Sequence, residues 1–135
     1  SQDAFRYKGM KQAAINLVKA IRLHYPQIKI LLNRAYELLP ELAKVIDIEV
    51  GESVYTAYDF ETKKSQLNSQ TNYDEQVKIL KNAQSLNPSL KIYTVDYWDT
   101  ADTKNIKKIY SIERKNGFIP YVTTVSLKTI TPEPT

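Results

Sequence analysis

The 135-residue sequence contains no cysteine, which excludes disulfides, thiolate nucleophiles and zinc sites built on thiolates. It has one histidine, His24, which excludes a multi-histidine metal centre, and because that histidine lies near no strand end, no assembled Ser-His-Asp arrangement is expected. Its three glycines, Gly9, Gly51 and Gly117, are too few and too scattered for a P-loop or a dinucleotide fingerprint. No apolar run approaches the roughly 20 residues that a membrane-spanning helix needs. No basic-then-apolar leader opens the sequence, so any export signal would lie upstream or have been removed.

What remains is an ordinary globular balance, 42% apolar and 25% charged, at a length suited to one core. The net charge of +4 comes from dispersed lysines. Their densest group, Lys104, Lys107 and Lys108, has the three- and four-residue spacing of one solvated helix face. Neither a nucleic acid nor a membrane partner is expected.

Along the chain, Met10, Ala13, Ala14, Leu17, Val18, Ile21 and Tyr25 recur at helical spacing up to Pro26, which ends the run. Ile28 to Leu32 is apolar on both faces, as suits a covered parallel strand. The unit then repeats. Tyr36–Ala43 reads as a short helix and Val45–Val50 as a strand. Tyr73, Val77, Leu80 and Ala83 mark a further helix, with Asn72 as its predicted N-cap, before the strand Ile92–Val95. A last helix carries Ile106, Ile109 and Tyr110, Asp99 is its predicted cap, and Phe118–Val125 is the fourth strand. Thr131–Thr135 reads as a tail or linker.

Helix and strand alternate four times, which predicts an α/β fold of parallel strands joined by crossover helices. A small doubly wound sheet and half of an eight-stranded barrel both fit. A chain that starts on a helix and ends on a strand favours the half barrel. The unit is assigned to residues 1–130.

In either architecture chemistry gathers at the C-terminal ends of the strands. There the sequence places Asn33 and Arg34, then Gly51-Glu52-Ser53 with Tyr55, Tyr58 and Asp59, then Asp96, Tyr97, Trp98 and Asp99. Carboxylates among aromatics suit glycoside cleavage, in which one acid protonates the leaving oxygen and another attacks or activates water. Glu52 stands out, because a carboxylate ending an apolar strand is costly without a task or a partner. The aromatics could also simply pack a loop, and His24, on the side where strands begin, reads as structural. The roughly 20 residues between Glu52 and Asn72 exceed an ordinary βα connection and predict either a cleft-shaping loop or a disordered one.

Leu32-Asn33-Arg34, Glu37-Leu38-Leu39-Pro40-Glu41, Gly51-Glu52-Ser53-Val54-Tyr55-Thr56, Tyr58-Asp59-Phe60, Tyr93-Thr94-Val95-Asp96-Tyr97-Trp98-Asp99 and Gly117-Phe118-Ile119-Pro120-Tyr121-Val122 follow in order. Together they resemble glycoside hydrolase family 114, the endo-α-1,4-polygalactosaminidases and their bacterial relatives. The resemblance implies a (β/α)8 TIM barrel of which this chain supplies strands five to eight. It also implies two catalytic acids, at the ends of the fourth and sixth strands. Glu52 falls on the second, as acid/base or as nucleophile, and the first has no counterpart here. By the same likeness Asn33, Asp96, Tyr97 and Trp98 would bind an extracytoplasmic galactosamine or N-acetylgalactosamine polysaccharide, with neither metal nor cofactor, and Tyr55 and Tyr58 of the rim's aromatic loop join them as candidate sugar-binding faces.

A half barrel leaves strand edges and an apolar inner face open. The chain is therefore expected to pair with the other half of the barrel or with a second copy, and to be inactive alone. Two rival readings are a non-catalytic carbohydrate-binding or scaffold module and a flavodoxin-like phosphate binder. The strand-end loops lack the glycine and Ser/Thr clusters the latter needs.

Overall fold

The computed structural model describes residues 8–135; residues 1–7 of the predicted unit lie outside the described residues. Helix α1 (Lys8–His24) ends just before Pro26. From its last turn Arg22 bonds to the carbonyls of Val45, Pro26 and Ile28 and to Asp47. Asp47 also accepts from the Ile30 amide. That amide first, and Arg22 next, hold its carboxyl below the usual range. The pair ties the helix to the bottoms of two strands.

The strands are β1 (Leu31–Asn33), β2 (Ile48–Glu52), β5 (Lys91–Tyr97) and β6 (Ile119–Thr123), all parallel and in that spatial order. Between β1 and β2 a 3-10 turn, Tyr36–Leu38, runs into α2 (Leu39–Leu42). Helix α3 (Gln70–Leu86) leads into β5, and α4 (Thr103–Lys115) into β6. Ser69 caps α3 by accepting from the Asn72 amide, and Asp102 caps α4 by accepting from that of Asn105. The predicted caps, Asn72 and Asp99, are therefore displaced by a few residues. Asp99 instead closes the tight turn to Ala101.

The 53–69 segment is neither plain loop nor disorder. It folds into an antiparallel hairpin, β3 (Thr56–Asp59) and β4 (Lys64–Leu67). Asp59 accepts from the Glu61 and Thr62 amides and so shapes its tip, an Asx turn. The tail is coil, yet it is tethered. Thr131 donates to the Tyr121 hydroxyl, and Arg114 forms an ion pair with Glu133.

The two faces of the main sheet differ sharply. Along β2 and β5 burial alternates, so Glu49, Gly51, Ile92, Thr94 and Asp96 point to the helix side. There Ile15, Leu38, Leu39, Leu42, Ile46, Leu80, Ala83, Ile92 and Phe118 form the main core. Fully burying each large aliphatic contributes about 1.5–3 kcal/mol. The other face is open, and Leu31, Tyr93 and Ile119 remain 55%, 37% and 42% exposed. Strands in sequence order with every helix packed on one face are the arrangement of a barrel. A doubly wound sheet would reverse its strand order and cover both faces.

The first helix shows the same openness. Ile15 is buried, but Met10 and Leu17 of the predicted stripe stay 63% and 62% exposed. The sheet takes only one flank of that stripe.

Gly51 is required by close approach. A Cβ there would lie 2.9 Å from Val54 Cγ2, 3.0 Å from Leu80 Cδ1 and 3.4 Å from the Tyr36 hydroxyl. Gly51→Ala is expected to cost about 1–3 kcal/mol by overpacking, read as a lower urea midpoint at unchanged slope.

Candidate active site

The site is built at the C-terminal ends of the parallel strands. Glu52 is the last residue of β2, and by alternation it shares the open face with Val50 and Ile48. Its Oε1 accepts a 2.6 Å hydrogen bond from the Tyr97 hydroxyl. Tyr97 is 6% exposed. Burial first, and the bond to Glu52 second, push its phenol well above the ordinary range, so Tyr97 stays a donor at any working pH.

The turn after Glu52 is fixed from several directions. Ser53 has a left-handed φ of 59°, a conformation that costs a non-glycine residue about 1 kcal/mol or more. Its amide donates to the Val95 carbonyl at 2.8 Å. Its carbonyl accepts from Asn68 Nδ2 at 2.6 Å and from Gln76 Nε2 at 3.1 Å. Asn68 also donates to the Val54 carbonyl, and Gln76 Oε1 accepts from the Tyr36 hydroxyl. Arg34 and Ala35, after β1, are left-handed too, at φ 59° and 46°. Two sharp strand-end turns thus bring Arg34 and Glu52 to one cleft of about 330 Å³, shared with Tyr58, Phe60, Asn68 and Asn72. Among the described residues no second carboxyl lines it.

A larger cleft of about 580 Å³ adjoins it across Tyr58 and Val125, and Trp98, Lys63, Lys64, Asp99 and Asp102 border it. Trp98 donates its indole N–H to Asp102 at 3.0 Å, which fixes the ring at that border.

Of the predicted residues, Glu52, Tyr58 and Tyr97 come together. Trp98 lies in the adjoining cleft. Asn33 is exposed at the end of β1, in register with Val50, beside the cleft rather than in its wall. Tyr55 turns toward the helices and meets Tyr73 edge-on at 5.5 Å. Asp96, predicted to line the cleft, is fully buried on the opposite face of the sheet. There its Oδ1 accepts from the Tyr55 and Thr56 amides at 2.9 Å and from the Thr56 hydroxyl at 3.3 Å. It shares the parity of Ile92 and Thr94, one residue out of phase with Tyr97. Arg34, Phe60, Asn68, Asn72 and Gln76 were not among the predicted site residues. Only Arg34 and Phe60 carried a signal, as neighbours of Asn33 and Tyr58.

No family model and no curated protein sequence matches the chain. Among solved structures it superposes on the glycoside hydrolase domain of PelA from Pseudomonas aeruginosa with a TM-score of 0.81, at 22% identity. The match covers 95% of this chain and 50% of that one. A glutamate-to-alanine variant of that domain gives 0.80, at 21% identity and the same coverage. The chain has the fold of half a TIM barrel. It spans half the length of the domains it matches, and its four strands supply one half of the barrel wall. In this half-barrel the open sheet face is the barrel's inner wall, and the Glu52 cleft lies at the rim where barrel enzymes place their chemistry.

Proposed function

We propose that this half-barrel is part of a glycoside hydrolase of the family 114 type, acting outside the cytoplasm on α-1,4-linked galactosamine or N-acetylgalactosamine polysaccharide. Glu52 is one carboxyl of its acid pair. The observation that carries this reading is the state of Glu52. One oxygen is held at 2.6 Å by a tyrosine that stays protonated, while no hydrogen bond from the described residues engages the other. A fixed carboxyl with one oxygen open to a cleft of aromatic faces and amide side chains can act on a sugar linkage. The adjoining cleft past Tyr58 lengthens the groove, which suits a polymer better than a single sugar.

Hydrolysis needs a second acid, and the Glu52 cleft has none among the described residues. The remaining half of the barrel, docked on the open inner wall and the β1 and β6 edges, supplies it in this reading. By itself the chain binds glycan and does not cleave it. Titration with a galactosamine oligomer is expected to shift the amide signals of Glu52, Tyr58 and Tyr97 without releasing shorter products. Absence of shifts there, with binding of a different polymer, would reject the substrate. Product release by the 135 residues alone would reject the need for a partner half.

A further inference from the structure

Behind the sheet, opposite the cleft, lies a group of carboxyls that the site chemistry leaves unused. Asp96 on β5 and Glu113 on α4 are both fully buried. Asp96 Oδ1 is occupied by three donors from Tyr55 and Thr56. Among the described residues, no donor reaches Asp96 Oδ2 or either oxygen of Glu113 with hydrogen-bond geometry. The two side chains are neighbours, and burial first, then Asp96, raises the Glu113 carboxyl well above its ordinary range.

Two adjacent buried carboxylates repel one another, and one proton between them resolves the conflict. The donors crowding Oδ1 leave Oδ2 as the acceptor for that proton. Among the described residues no basic group is a main influence on Glu113. Thr94 of β5 and Asn116 just after α4 favour the charged form of Glu113, but less than burial and Asp96 oppose it. Tyr73 of α3, which accepts from Asn116 at 2.7 Å, and Tyr36 of the 3-10 turn both lie near Glu113. Tyr36 also lies near Glu49 of β2 and Asp96.

What the pair holds is the frame of Glu52. Thr56 Oγ1 donates to Asp96 and accepts from the Tyr97 amide at 3.0 Å, and the Tyr97 hydroxyl holds Glu52. We propose that Glu113 is a positioning residue. It donates its carboxyl proton to Asp96 Oδ2 from the helix side of the sheet. Asp96 can then fix the 55–56 segment and Tyr97, which together aim Glu52 into the cleft.

The consequence for catalysis rests on the role proposed for Glu52. The pair is tested without glycan, so the two can fail separately. In carbon-13 spectra of the full chain the Glu113 carboxyl is expected to remain protonated at pH 7. Glu113→Gln, whose amide can still donate to Asp96, is expected to keep amide exchange at Tyr55 and Thr56 within about threefold of the parent. Glu113→Met, which cannot donate, is expected to speed exchange there by about tenfold or more and to shift the Tyr97 ring signal that reports its bond to Glu52. An ionised Glu113 at pH 7, or Gln and Met variants with the same protection at Tyr55 and Thr56, overturns the proposal. Should the Met variant not fold, the carboxyl titration decides alone.

Discussion

Replacing Glu49 by methionine is expected to stabilise the chain by about 4–5 kcal/mol at pH 7, and by only about 1 kcal/mol at pH 4. Glu49 is fully buried on the helix face of β2, and neither oxygen has a hydrogen-bond partner. Burial alone raises its carboxyl from the ordinary 4.5 to about 9. Below pH 4.5 the folded and unfolded chains both carry the proton, and the group costs only its unmade hydrogen bonds. As pH rises from 4.5 toward 9 the unfolded chain ionises while the folded one cannot, so folding loses about 1.4 kcal/mol per pH unit. Methionine has similar volume and nothing to ionise, and such exchanges of buried charge for apolar volume are often stabilising.

Urea denaturation of both chains at pH 4, 5.5, 7 and 8 measures the effect. A difference that does not change with pH would mean that Glu49 is charged or paired in the folded chain. Glu113 acts in the same direction, so the parent chain is expected to lose stability between pH 5 and 8. Asp47, held low by the Ile30 amide and Arg22, acts in the opposite sense. Its contribution is present above its ordinary range and is lost as pH falls below it.

The helix-strand alternation and the parallel rim were legible because they follow from hydrophobic runs and the break at Pro26. Strand limits were not. Val45 and Ile46, predicted as strand, bond back to the Leu42 carbonyl, and Asp47 is taken by Arg22 and the Ile30 amide, so β2 begins at Ile48. The hairpin was missed because Thr56–Asp59 and Lys64–Leu67 lack alternating apolar residues. Its one signal was Asp59 ahead of Glu61 and Thr62.

Side-chain direction at the rim was the harder matter. Glu52, Asp96 and Tyr97 all end strands, but only parity separates the cleft from the helix side. In β5 the buried Ile92 and Thr94 lead to Asp96, so the strand pattern itself sends Asp96 backward. Glu113 could also have been found, since it stands four residues after Ile109 and seven after Ile106, on the buried stripe of α4. The partners of Ser53 could not. Asn68 and Gln76 reach its carbonyl only because the hairpin folds over the rim, a contact between segments that no local pattern encodes.

In a barrel completed by its other half, Glu52→Gln is expected to lower kcat on galactosamine polymer by about 10²–10⁴-fold while leaving binding nearly unchanged. The amide keeps the size of the side chain and can still accept from Tyr97, but it can neither transfer a proton nor attack. Tyr97→Phe separates chemistry from positioning. It removes the 2.6 Å bond without removing the carboxyl. A hydrogen bond to a charged group contributes about 1.5–3 kcal/mol, so kcat is expected to fall by about 10- to 150-fold, with KM little altered. The two losses should not multiply in the double variant, because Tyr97 acts only through Glu52. Near-normal turnover by Glu52→Gln would remove Glu52 from the acid pair. Multiplying losses would show that Tyr97 touches the sugar itself.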